Sequence, residues 1–172
     1  MFTIYTPTKS SQRLGLWPRD RVSGRAFTLV ELLVVLFIVA IISAVVFASL
    51  ISYKRRQSVM VSSAQIATAL TDARSRSLAG INDSTHGIYF ADDEIIIFEG
   101  AAYVTNDPEN ETVMLETGVR ATTTLSGGGR TVVFVRLTGQ TASGTVDVFS
   151  EGDFSVLRTI TIHETGIVSY TE

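Results

Sequence analysis

Leu32–Tyr53 reads LLVVLFIVAIISAVVFASLISY, 22 residues without a charged side chain or a proline. As α-helix it spans ~33 Å, about the thickness of a bilayer's hydrocarbon core. Backbone amides in lipid must be hydrogen-bonded within their own segment, so a single spanning element is helical. No other stretch of the chain combines this length with this purity. We read one membrane pass.

The flanks give it a direction. Arg13, Arg19, Arg21 and Arg25 precede the run, and Lys54, Arg55 and Arg56 follow it. Four cations against three favour a cytoplasmic N-terminus and a C-terminal body on the far side. A cleaved secretory signal has a shorter apolar run with a small-residue cleavage site after it. Here the small residues Ser23, Gly24 and Ala26 come before the run. Processing at that point leaves the apolar helix on the mature chain.

The whole chain has 172 residues, a formal charge of −3 and no cysteine. That length suits one domain plus an extension. Without cysteine there are no disulfides, thiolate metal sites or cysteine nucleophiles. Residues 1–26 carry five basic side chains and one acidic, or +4; residues 27–172 carry nine basic and sixteen acidic, or −7. An acidic body is a poor binder of nucleic acid, which needs clustered Lys and Arg.

Glu31 interrupts Phe27-Thr28-Leu29-Val30 at the edge of the apolar run. An ionised carboxylate is expensive there unless paired. Two readings stand side by side. It is an acid at a helix start, favoured by the dipole or reaching the headgroups, or it pairs with a cation inside an assembly.

Gly24-Arg25-Ala26-Phe27-Thr28-Leu29-Val30-Glu31-Leu32-Leu33 resembles the processing motif of the type IV pilins and type II secretion pseudopilins. In that family a basic leader ends in a small residue, a Phe opens the mature chain, and a Glu stands fifth. The resemblance implies that 1–26 is a leader, cut by prepilin peptidase between Ala26 and Phe27. It also implies N-methylation of Phe27, and pairing of Glu31 with the Phe27 amine of a neighbouring subunit. Buried together, the two charges would define an axial register. Three features depart from the family pattern: Ala26 replaces the usual Gly, the leader is long, and no proline interrupts the helix.

Residues 57–79 carry a helical stripe of Val59, Ser63, Ile66, Leu70, Ala73 and Ser77, ending at Gly80 as a C-cap. One helix from Phe27 to Ala79 is expected, with 27–53 in the membrane and 54–79 amphipathic outside it. Residues 80–172 then read as a β-rich head with period-two strands. These are His86–Ala91, Glu94–Glu99, Thr112–Thr117, Arg120–Leu125, Arg130–Thr138, Gly144–Ser150, Phe154–Ile162 and Ile167–Tyr170. Asp92-Asp93, Gly127-Gly128-Gly129, Gly139–Ser143 and Glu151-Gly152-Asp153 supply turns, the triple glycine as a flexible hairpin tip. The fold class is α+β, pilin-like, with an antiparallel sheet or sandwich. Leu70–Ser77, Thr131-Val132-Val133-Phe134 with Gly139, and Arg158–Ile162 with Gly166 are similar to motifs of the GspH/FimT group of minor pseudopilins and minor pilins.

Other constellations take plain structural readings. His86, on an expected strand, and His163, at the end of one, make a poor zinc site on their own. The acidic turns Asp92-Asp93-Glu94 and Asp107–Glu111 lack EF-hand spacing and read as solvated. Gly127-Gly128-Gly129-Arg130 has no following helix or Lys-Ser/Thr pair, which excludes a phosphate loop. No Ser/His/Asp set has supporting context, so neither catalysis nor a cofactor or metal is expected.

The resemblance implies a structural subunit, a minor pseudopilin or minor pilin in a bacterial inner membrane, with its head periplasmic or extracellular. Its implied partners are other pilin subunits, the prepilin peptidase, the assembly platform and the membrane, and not nucleic acid. The rivals are a major pilin, a DNA-uptake minor pilin, and a single-pass anchored enzyme or solute-binding domain. The tail from His163 to Glu172 holds no Lys or Arg, which disfavours a DNA-gripping end.

Overall fold

The computed structural model describes residues 27–171; the expected leader, 1–26, lies outside them. The chain divides into two units after Ile41. Helix α1 runs over Leu29–Ala79, starting two residues later than expected because Phe27 and Thr28 are not helical. It ends as the glycine predicts. Gly80 takes the left-handed conformation, φ 64°, and its N–H donates to the Ser77 carbonyl at 3.1 Å. A short 3-10 turn, Ile81–Asp83, follows that the sequence pattern does not signal.

In the first unit, as far as it is described, every residue from Phe27 to Ile41 is exposed. The second unit opens with the rest of the apolar run, Ile42–Tyr53, all exposed but for half-buried Ser43. Burial begins beyond the basic cluster. Val59, Ser62, Ser63, Ile66, Ala69, Leu70, Ala73 and Ser77 are buried, so the stripe read from spacing is the face that packs.

Among the described residues, eight antiparallel strands form two four-stranded sheets. The first contains β1 (His86–Phe90), β2 (Glu94–Glu99), β3 (Glu111–Met114) and β5 (Thr131–Phe134), in the order β3-β2-β1-β5. The second contains β4 (Val119–Leu125), β6 (Gly144–Ser150), β7 (Asp153–Ile162) and β8 (Val168–Thr171), in the order β4-β6-β7-β8. Each sheet contributes alternate aliphatic and aromatic side chains to one core with the helix. Ile88, Phe90 and Phe134 come from the first sheet, Val146, Val148 and Ile160 from the second, and Ile66 and Leu70 from α1.

Three expectations need correction. The Gly127–Gly129 segment is not a hairpin tip: β4 pairs with β6 and β5 with β1, so the glycines carry the chain from one sheet to the other. The strand expected over 130–138 stops at Phe134. There Leu137 turns back with φ 65° and its N–H donates to the Ser77 carbonyl at 2.9 Å, tying the loop to the helix end. The strand expected over 112–117 stops at Met114; the Leu115 amide still bonds the residue opposite it in the β2–β3 register, but the Glu116 amide turns to the helix. Leu115 N–H donates to the Asp93 carbonyl at 2.9 Å, and Glu116 N–H to the buried Ser62 hydroxyl at 3.0 Å.

Candidate assembly interface

The expected processing and assembly residues sit at the start of α1. Phe27 lies ahead of the helix and is 79% exposed. Thr28 is the N-cap: its Oγ1 accepts the Glu31 amide at 3.2 Å, and its carbonyl accepts the Leu32 amide at 3.1 Å. Thr28-Leu29-Val30-Glu31 thus fits the Thr-x-x-Glu pattern of a capping box, with Glu31 in the first turn. That cap was legible in the spacing, and the sequence reading had passed over it.

The geometry supports the helix-start reading of Glu31 as far as backbone is concerned. It does not neutralise the carboxylate. Among the described residues Glu31 has no side-chain hydrogen bond or ion pair. Its acid lies on an exposed helix with Leu29, Val30, Leu32 and Leu33 around it, each more than half exposed. Such a surface is costly in water, and the acid is costly in lipid. Ala26, the other half of the expected cleavage junction, lies outside the described residues.

One helix among the described residues, α1, is long and apolar enough to cross a membrane. The apolar window shows no burial within the chain, unlike the core helix of a soluble protein.

The head uses most of its cations internally. Arg76 bonds Glu111 at 2.5 Å and Asp72 at 2.8 Å. Arg120 pairs with Glu151 and Asp92, Arg130 with Asp92 at 2.7 Å, and Arg136 with Asp83. The Glu111 hydrogen bond raises the Arg76 pKa above its ordinary value, and the same bond holds Glu111 below the usual carboxylate range. Lys54 and Arg56 pair with no acid among the described residues, and both are exposed.

The remaining candidates fall apart in space. His86 is buried on β1 with Nε2 3.9 Å from Glu99 Oε2, whereas His163 lies just past the end of β7, not on a strand, beside Ser169. No group of three or more His, Asp or Glu that could hold a metal occurs among the described residues. Asp92 is held by two arginines, and Asp107 accepts the Glu109 amide at 2.9 Å.

Residues 23–47 match the family model of the prokaryotic N-terminal methylation motif. Among solved structures, the type IV minor pilin FimU of Pseudomonas aeruginosa superposes with a TM-score of 0.54 at 12% identity, over 70% of this chain and 92% of that one. The fold is that of the minor pilins. The minor pseudopilin EpsH from the type II secretion system of Vibrio cholerae gives a TM-score of 0.52 at 14% identity, over 67% of this chain and 94% of that one. No match is found among curated protein sequences. The likeness to FimU and EpsH is one of backbone, since at such identity the side chains have largely diverged.

Proposed function

We propose that the protein is a structural subunit, a minor pseudopilin or minor pilin, of a type II secretion pseudopilus or a type IV pilus. One observation carries this reading: a methylation motif lies on an unburied apolar helix, ahead of a head with the fold of FimU and EpsH. Neither half requires the other. Together they describe a chain made to be cut, extracted from lipid and packed by its helix.

In this account the leader, 1–26, is removed by prepilin peptidase between Ala26 and Phe27, and the new Phe27 amine is methylated. Residues 27–53 cross the bacterial inner membrane with the N-terminus cytoplasmic; 54–79 and the head, 80–172, stand outside. An assembly platform lifts the subunit, and the helix meets the helices of other pilins. Burial of the exposed apolar face stabilises the bundle. Glu31, which has no side-chain partner among the described residues, meets the methylated amine of Phe27 on a neighbour. Two charges that lipid disfavours singly are tolerated as a pair, and their meeting sets the stagger. The role is structural and not catalytic, and no nucleic acid is involved. The internal pairing of Arg76, Arg120, Arg130 and Arg136 supports that last point, since it leaves the head without a free cationic stripe.

The test is to recover the fibres, or the pseudopilus fraction, from a host producing the chain at its native level. The processed chain is expected in that fraction at low abundance. Abundance equal to the bulk subunit would make it a major pilin, and complete absence from the fraction would contradict the proposal. A gel shift of the full chain in detergent with DNA at low salt is expected to show no binding; binding would favour the DNA-uptake reading.

A further inference from the structure

The β6–β7 hairpin tip is fastened to the helix where the apolar run gives way to charge. Arg55 Nη1 donates to the Gly152 carbonyl at 3.2 Å. The approach is so close that a Cβ on Gly152 would stand 3.0 Å from the Arg55 guanidinium carbon. Ile51, in the last turn of the apolar run, lines a groove with Lys54, Gly118, Ser150 and Gly152. The hairpin tip is therefore level with the end of the apolar surface.

Phe154 follows two residues after Gly152 and is 73% exposed, although its ring contacts Phe149 at 5.5 Å between centroids. Leu157, farther along β7, is 51% exposed. Two residues of extended chain reach at most ~7 Å, and the headgroup layer is roughly 5–7 Å deep on each side of the bilayer. If Tyr53 ends the hydrocarbon span, Phe154 is within reach of the interface.

The charges around the tip fit the same surface. Lys54 and Arg56 are exposed and pair with no acid among the described residues, as expected of cations facing anionic headgroups. The two acids of the tip are occupied. Glu151 pairs with Arg120, and Asp153 accepts the Ser155 amide at 3.0 Å and its hydroxyl at 2.6 Å. Asp153 lies near enough to Arg55 and Arg56 to feel their charge, yet neither Lys54 nor Arg56 forms an ion pair among the described residues, and an aromatic side chain beside such cations matches the composition of a membrane-surface anchor.

We propose that, before assembly, the head rests on the membrane through the β6–β7 tip, with Phe154 in the interface and Lys54 and Arg56 on anionic lipid headgroups. This rests on the membrane-anchored reading above and adds a second foothold to it. The docked tip would hold the head in one orientation beside its helix, and extraction into the fibre would lift the tip free.

Because the chain has no cysteine, single-cysteine variants report on position without background. The full chain carrying Val45→Cys, Phe154→Cys or Val104→Cys is spin-labelled and reconstituted into vesicles of equal phosphatidylcholine and phosphatidylglycerol, or phosphatidylcholine alone. Accessibility to oxygen is compared with accessibility to a water-soluble nickel chelate. Position 45 lies in the apolar run, and position 104 is in the exposed loop after β2. The oxygen-to-nickel ratio at 154 is expected to exceed that at 104 several-fold in the phosphatidylglycerol mixture, and to fall toward it in phosphatidylcholine. Lys54→Gln with Arg56→Gln should produce the same fall without changing the ratio at 45. A ratio at 154 equal to that at 104 while 45 stays lipid-exposed would overturn the inference alone. Water access at 45 would instead overturn the membrane reading. Shielding of 154 that appears only as protein density rises at fixed lipid would assign the face to a second copy of the chain, and so also overturn lipid docking.

Discussion

Ser77 Oγ accepts the backbone N–H of His86 at 2.9 Å, with both residues buried where α1 hands over to β1. The Ser77 carbonyl also takes the amides of Gly80 and Leu137. A single helix turn thus anchors the first strand and the loop after β5. Ser77→Ala leaves the His86 amide buried without its partner, a cost of about 1–3 kcal/mol. Denaturant unfolding of the full chain in detergent, followed by circular dichroism, should show a lower midpoint with an unchanged slope.

Gly87 has no room for a side chain. A Cβ there would lie 2.6 Å from the Val132 carbonyl oxygen and 2.6 Å from the Phe98 ring. The oxygen belongs to the neighbouring strand and cannot turn aside. Gly87→Ala should therefore destabilise the head by roughly 1–3 kcal/mol. The companion change Phe98→Leu should recover only part of it, because it relieves the ring contact and not the backbone one. Thermal unfolding of the two single variants and the double variant checks this.

Arg76 and Glu111 couple α1 to edge strand β3. The Arg76 hydrogen bond lowers the Glu111 pKa below its ordinary 4.5, so the pair stabilises fully above that value and is lost as pH falls beneath it. Both side chains are partly exposed, which limits the contribution to ~0.2–1 kcal/mol. Stability measured from neutral pH downward should decline through this acid range. Glu111→Gln should flatten the decline while lowering stability at neutral pH by about the same small amount.

The start of α1 separates two roles. Thr28→Ala removes the cap on the Glu31 amide and should cost about 1 kcal/mol locally. It should speed amide exchange at the first helical turn several-fold in detergent. Glu31→Gln keeps that backbone bond, so exchange should change little, yet entry into fibres should fall. If both variants lose assembly in proportion to fraying, Glu31 acts through helix stability alone.

Much of this architecture was legible because local rules and tertiary packing agree. The stripe Val59–Ile66–Leu70–Ala73 is the buried face of α1, and Gly80 ends the helix as a left-handed cap. Strands β2 and β6 keep the bounds that alternation suggests. Partition into two sheets was not legible. Whether Gly127–Gly129 turns back or crosses over depends on whether β5 finds β1 or β4, a long-range choice that no local pattern encodes. The paths of the chain after Met114 and Phe134 were likewise set by distant groups, Ser62 and Ser77, which take the amides of Glu116 and Leu137. At the interface, Phe27 and Glu31 stood out by residue type. Thr28 was overlooked although its spacing to Glu31 is a recognisable cap.

The account turns on a helix that is cut free at its polar end and then packed against copies of its kind. Intact-mass analysis with N-terminal peptide sequencing of the protein from a processing-competent host tests this most directly. The account predicts a chain beginning at Phe27 and carrying one N-methyl group. A chain that retains Met1 and the basic residues up to Arg25 in such a host would contradict it.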